Sequence, residues 1–181
     1  PPIEEPVQVP TNTNTPMVNV HHRYGVCFVD TATGHFKFSE FTDDEQSSYL
    51  RTLLVQFKPK EVLLPVSNDA EENTEENAVF LSTKTRRLLK TELQTDVTVQ
   101  NITFPSLKET ISQLKSIFVE EKNWPRALPL VDTEETDSNS SNYHLLYSAL
   151  GGIFDYLKRL LILKEIVPTG IYHYFNINSM G

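Results

Sequence analysis

Residues 24–44 read YGVCFVDTATGHFKFSEFTDD, and the fold turns on how they are parsed. Tyr24 to Val29 is an unbroken apolar run that ends on Asp30. Thr31, Ala32, Thr33 and Gly34 supply a turn, and Phe36 to Phe41 returns with apolar and polar residues alternating. Strand, glycine turn and returning strand make a hairpin. The first strand has no polar alternation, so it is expected to be buried on both faces. Asp43 and Asp44 then open a helix, where carboxylates favour the positive end of the helix dipole. A hairpin feeding a helix is the opening of an α/β domain with a mixed sheet.

Outward from this block, the pattern alternates. A helix is expected from about Asp43 to Phe57, with Tyr49, Leu50, Leu53, Leu54 and Phe57 at helical spacing, closed by Pro59. Glu61 to Leu64 reads as a short buried strand, Ala78 to Leu93 as a helix, and Val97 to Ile102 as a further strand. Pro105-Ser106 introduces a helix carrying Leu107, Ile111, Leu114, Ile117 and Phe118, which Asn123-Trp124-Pro125 breaks. The longest helix is expected from Tyr143 to about Ile166. Its Gly151-Gly152 pair costs about 1 kcal/mol per residue relative to alanine, which a close approach of another backbone would explain. The sum is an α/β fold of RNase H-like type: a mixed sheet, opened by the hairpin, flanked by helices and ended by a long C-terminal helix.

The chain has 181 residues, enough for one ordinary domain with flanking pieces. Residues 1–20, rich in Pro, Thr and Asn, are expected to be a linker with little regular structure. The domain proper is placed at 21–167, with acidic loops at about 67–77 and 132–142, and 168–181 begins a connection onward. Tyr172, His173, Tyr174 and Phe175 in that tail are expected to pack on a neighbouring domain. With no initiator Met, the chain is expected to be a piece of a longer protein. No stretch reaches the roughly 18 apolar residues of a membrane span, and no signal peptide is present. Cys27, alone of its kind, sits mid-strand as a small buried hydrophobe.

A net charge of −8 speaks against a dedicated nucleic-acid surface, since neutralising phosphates takes clustered Lys and Arg. Lys84, Arg86, Arg87 and Lys90 form one small basic cluster, and Lys158 with Arg159 another; each fits one solvated helix face. Contact with a DNA backbone is therefore weak at most.

No Walker A and no Gly-x-Gly-x-x-Gly motif occurs, and no Ser or Cys stands in a nucleophile elbow. His21, His22, His35, His144 and His173 lack metal-ligand spacing. One constellation offers chemistry. Two-metal nucleases of RNase H-like fold place an Asp on the first strand and further acids on neighbouring strand ends and the last helix. Asp30 and Asp155 suit those places, with Glu61 or Asp96 as a third. The plainer reading makes Asp30 a turn residue before Thr-x-Thr-Gly, and Asp155 an ordinary exposed acid. On that reading no catalytic, cofactor-binding or metal-binding residue is assigned.

Three ordered blocks resemble one family. Gly25-Val26-Cys27-Phe28-Val29-Asp30, then Thr33-Gly34-x-Phe36 and Phe41-x-Asp43-Asp44, resemble the connector domain (domain II) of MutS mismatch-recognition proteins. Leu50-Arg51-Thr52-Leu53-Leu54 followed by Pro59-Lys60-Glu61-Val62-Leu63 is similar to that domain's passage from helix to strand. Ser148-Ala149-Leu150-Gly151-Gly152 with Tyr156-Leu157-Lys158 is similar to its closing helix. The resemblance covers about Tyr24 to Pro168, and its wording points to the eukaryotic MutS homolog 6 type of subunit. It implies a nuclear parent that pairs with a second MutS homolog, clamps DNA at mismatches and small loops, and uses ATP and Mg²⁺ in a separate domain. For this stretch it implies a non-catalytic relay between mismatch-binding and ATPase parts, with docking of a MutL-type protein expected chiefly on the other subunit.

Overall fold

The computed structural model describes residues 21–66, 81–131 and 143–177. The expected linker at 1–20 and both acidic loops fall outside those residues. The hairpin is present as read: β1 (His22–Asp30) pairs antiparallel with β2 (His35–Asp43), from His22 opposite Asp43 to Asp30 opposite His35. Gly34 takes a positive φ of 69° in the turn, a conformation glycine adopts without a Cβ penalty. There follow α1 (Ser48–Phe57), β3 (Glu61–Pro65), α2 (Thr83–Glu92), β4 (Thr98–Ile102) and α3 (Leu107–Ile117). A 3₁₀ turn (Glu121–Asn123), α4 (His144–Arg159), α5 (Leu163–Ile166) and β5 (Ile171–Tyr174) complete the described elements.

Helix α1 starts later than expected because its acids cap it instead of joining it. The buried Asp43 carboxylate accepts the N–H groups of Tyr49 and Leu50 at 3.1 and 2.9 Å, and Asp44 accepts that of Ser48 at 3.0 Å. These are donors that a helix N-terminus leaves without intrahelical partners. Helix α3 begins at a full capping box, in which Ser106 and Glu109 satisfy each other's backbone N–H.

The sheet is mixed, and it is divided. β1, β2 and β5 form one three-stranded ladder in the order β1-β2-β5, while β3 and β4 form a separate parallel pair. Helices cover both faces of the first ladder. Phe36 and Phe38 face α4 and α3, in a core with Leu114, Leu146, Leu150, Phe154 and Leu157. Tyr24 faces the other way, with Leu50 of α1 and Leu88 and Leu89 of α2. Fully burying one such Phe or Leu contributes about 1.5–3 kcal/mol, so these clusters fix which face each helix takes.

Two expectations are corrected. The long final helix is two helices: α4 ends at Arg159, and Leu161 turns left-handed at φ 64°. Ile162 N–H bonds the Leu157 carbonyl and Leu161 N–H that of Lys158, the paired bonds of a Schellman motif. Leu160 and Leu161 consequently leave the apolar face, and Leu161 is 87% exposed. The second correction concerns the tail. Residues 171–174 pair parallel with β2, and Tyr172 stacks on Phe36 at 4.8 Å between ring centroids. Phe175 packs against Phe28 and Phe57. The aromatics assigned to a neighbouring domain thus belong largely to this one.

The glycine pair of α4 also differs in detail. A Cβ on Gly151 would meet Thr110 Oγ1 at 2.2 Å and Pro105 Cγ at 2.5 Å, and one on Gly152 would meet the Phe104 ring at 3.3 Å. What approaches is side chains of α3 and the segment before it. The close backbone contact is elsewhere: a Cβ on Gly25 would lie 2.2–2.4 Å from backbone atoms of Leu145 and Leu146. Glycine in the middle of β1 is what lets the start of α4 cross the sheet there.

Candidate functional site

The acids weighed as metal ligands are each held by a local partner. Asp30 Oδ1 accepts the backbone N–H of Ala32 at 2.9 Å and of Thr33 at 3.3 Å, an Asx turn closing the hairpin. The Thr33 hydroxyl first, and the Ala32 N–H next, hold its carboxyl below the ordinary range. Asp155, on α4, accepts from Gln113 Nε2 at 2.6 Å. Glu61 accepts from Gln100 Nε2 and from the Tyr156 hydroxyl, both at 2.5 Å. Asp96 pairs with Lys60 at 2.8 Å, and that hydrogen bond together with the lysine's charge lowers its pKa. Among the described residues, no three of His, Cys, Asp and Glu stand close enough to hold a metal ion. Sequence had grouped these acids by their places along an assumed sheet, and the structure gives each its own structural task.

The first basic cluster is likewise partly spent on structure. Lys84 Nζ donates to the Glu45 carbonyl, and Arg86 reaches the Pro65 carbonyl at 2.6 Å. Arg87 and Lys90 remain exposed on α2. Arg159 lies over the Tyr156 ring at 5.7 Å.

What the residues do build is a set of cross-ties between elements distant in sequence. Glu40 has a side chain only 2% exposed, with Arg23 Nη2 at 2.6 Å from one oxygen and the Leu146 N–H at 2.9 Å from the other. A carboxylate from β2 thus meets the first turn of α4, where the dipole favours it. On the opposite face, the Tyr24 hydroxyl joins Ser47 Oγ at 3.1 Å and Thr85 Oγ1 at 2.9 Å, tying β1 to the start of α1 and to α2. The sequence reading passed over Glu40. Its signal was there: Phe36, Phe38 and Glu40 share one face of a strand, and an acid in an inward series needs a buried partner.

The cross-ties fasten the hairpin to helices on both of its faces. A model of the family described as MutS domain II matches residues 17–165. The chain belongs to the MutS domain II family. DNA mismatch repair protein Msh6 of Gallus gallus is 34% identical over 158 residues, covering 80% of this chain and 11% of the relative. Its namesake in Homo sapiens is 32% identical over 158 residues with the same coverage. That of Saccharomyces cerevisiae is 28% identical over 151 residues, covering 80% of this chain and 10% of its own length. The chain spans about a tenth of the length of these curated relatives. Within the MutS domain II family, it is a connector domain of Msh6 type. Among the described residues, no helix is long and apolar enough to cross a membrane.

Proposed function

We propose that this domain is a non-catalytic mechanical connector within a MutS-type mismatch-recognition protein. The observation that carries the reading is the MutS domain II match over residues 17–165. It is supported by the cross-ties of Glu40 and Tyr24, which lock both faces of the hairpin to helices. A rigid unit of this kind transmits the position of whatever is attached at its two ends. In the parent we place a mismatch-binding part upstream, beyond the linker at 1–20, and lever and ATPase parts downstream, from 168–181 onward. ATP and Mg²⁺ belong to that separate ATPase domain. The parent is a nuclear protein that pairs with a second MutS homolog, with a MutL-type protein as a further partner. The RNase H-like label for the architecture is part of the same proposal, supported by the hairpin-first order and helices on both sheet faces.

The test is a pull-down of this chain against the second MutS homolog and a MutL-type heterodimer, with a mismatched duplex plus Mg²⁺ or Mn²⁺ in parallel. Capture of either protein with intact DNA is the expected result. Metal-dependent nicking, abolished by Asp30→Asn, overturns the reading in favour of a nuclease.

A further inference from the structure

By local standards helix α4 starts badly. Its N-cap is Tyr143, in the left-handed region at φ 80° and ψ 12°, with no side-chain capping bond. An N-cap ordinarily has extended backbone and a short side chain that accepts an N–H of the first turn, and a bulky residue at positive φ is strained. Lys58 and Leu161 also have positive φ, but they end helices, where a left-handed residue is a common closure. Ser47, which opens α1, has its hydroxyl held by Tyr24. Tyr143 keeps its place against both its backbone preference and its capping chemistry.

What holds it comes from elsewhere in the fold. The Leu146 N–H, a donor that a capping side chain would take, goes to Glu40 Oε2 on β2 at 2.9 Å. Arg23 of β1 stands 2.6 Å from the other oxygen of that carboxylate. The Tyr143 ring meets Tyr174, the last residue of β5, edge-on at 6.2 Å between centroids and 90° between planes. The Tyr143 carbonyl accepts the Tyr147 N–H at 3.0 Å, so the first turn depends on how Tyr143 is set. A chain of contacts thus runs from β1 to β5 through Arg23, Glu40, the first turn of α4, Tyr143 and Tyr174. Beside its far end lies a groove of about 300 Å³, lined by Phe41, Thr42, Tyr49, Tyr174 and Ile177 among others. Tyr174 is 38% exposed and forms part of the groove wall, so its ring has room to leave Tyr143. A strained residue kept in place by its surroundings relaxes when one of them withdraws.

We infer that the start of α4 is a two-state joint that couples β1 to β5. In one state Tyr143 is left-handed, with its ring against Tyr174 and the Leu146 N–H on Glu40. In the other, Tyr174 turns into the groove, Tyr143 relaxes to negative φ, and the first turn of α4 opens as far as Leu146. The core farther along α4, at Leu150, Phe154 and Leu157, stays packed in both. Displacing either strand biases the same turn, and by linkage each strand responds to the other. The use of this joint as a relay rests on the connector reading. The coupling itself does not, and it is measured within this chain.

The test is backbone amide exchange followed by NMR on the 181-residue chain. Tyr174→Ala is expected to speed exchange at Leu146 and Tyr147 about tenfold, while Phe154 and Leu157 hold their rates. Arg23→Ala is expected to speed Phe175, whose N–H bonds the Phe38 carbonyl next to Tyr174, about threefold. Tyr143→Asn tolerates the left-handed backbone and can cap the turn itself. In that background Tyr174→Ala should leave Leu146 at its rate, and Arg23→Ala should leave Phe175 at its own. Equal acceleration of every amide would mean a general loss of stability and overturns the joint. So would Leu146 and Tyr147 rates indifferent to Tyr174→Ala, or unchanged responses in the Tyr143→Asn background. These rates stand apart from the pull-down, so the joint and the connector reading fail separately.

Discussion

Glu40 on β2 accepts the backbone N–H of Leu146 at 2.9 Å, across 106 positions of sequence. The same carboxylate holds Arg23 of β1, so one buried acid fastens the hairpin to the helix that crosses it. Gly25 lies directly opposite Glu40 in the β1–β2 register, beneath the same turn of α4. The helix is seated by a hydrogen bond at one residue and by the absence of a side chain at its cross-strand neighbour.

Removing the acid therefore leaves the Leu146 N–H without its side-chain acceptor in a buried place, and takes the ion-pair partner from the half-exposed Arg23. Glu40→Ala is expected to cost about 2–4 kcal/mol, near the range for breaking a buried pair from one side. Arg23→Ala should cost less, because the arginine side chain is 44% exposed. Urea unfolding of both variants measures the difference, and equal midpoints would contradict it.

The glycines separate by what their missing Cβ would strike. Gly25→Ala drives a methyl into backbone atoms that cannot turn aside, and a loss of about 3 kcal/mol or more is expected. Gly152→Ala meets only the Phe104 ring at 3.3 Å and should sit within about 1 kcal/mol of the parent. Thermal melts that rank the two the other way would show that α4 shifts over the sheet.

The tail is expected to behave as core. Tyr172 stacks on Phe36 and packs edge-on against Phe118, and its hydroxyl donates to the Val167 carbonyl at 2.7 Å. Tyr172→Ala should cost about 2–4 kcal/mol. A chain stopped after Val167 should show an earlier urea midpoint and faster proteolysis than one stopped after Ile177. Indistinguishable chains would return β5 to the role of a connection.

Acid and alkali should loosen different parts of the fold. The carboxyls of Asp30, Asp44, Asp96 and Glu109 are lowered by hydrogen bonds they accept in the native state. Groups depressed on folding contribute stability that is present above their unfolded values, about 4, and is lost as pH falls through the native ones. Tyr147 is the reverse case: burial pushes its hydroxyl up to about 12. Its contribution is complete below the unfolded value, about 10, and disappears as pH climbs toward 12. Melting temperature against pH should fall at both ends, with Glu109→Gln flattening the acid limb and Tyr147→Phe the alkaline one.

Local features were legible where residues announce their own conformation. The hairpin, the helix after Ser106 and the short strand from Glu61 all carry turn, capping or periodic signals that the structure honours. The end of α4 was not legible, because Leu160, Leu161 and Ile162 continue the apolar pattern, and only the backbone bonds of the Schellman turn end the helix. β5 was missed for a different reason. Ile171-Tyr172-His173-Tyr174 has strand chemistry, yet nothing local says that it returns to β2 in place of a neighbour. The division of the sheet is a tertiary fact of the same sort. Of the site, sequence identified the acids but not their partners, and Glu40 was visible only to an inward count along β2.

The register has a consequence for how the domain bears load. His22 stands opposite Asp43, and β5 runs parallel to β2 toward that same end, so the strand that enters and the strand that leaves both open at one pole. Tension applied to the start of β1 and the end of β5 would peel them away from β2 one hydrogen bond at a time, as a zipper parts, without loading a whole ladder in shear. The opposite pole, with the Gly34 turn and the exposed Leu161, stays slack while this happens. A domain wired this way yields progressively from one end, and its resistance is set by the first rungs beside Asp43 and Phe38.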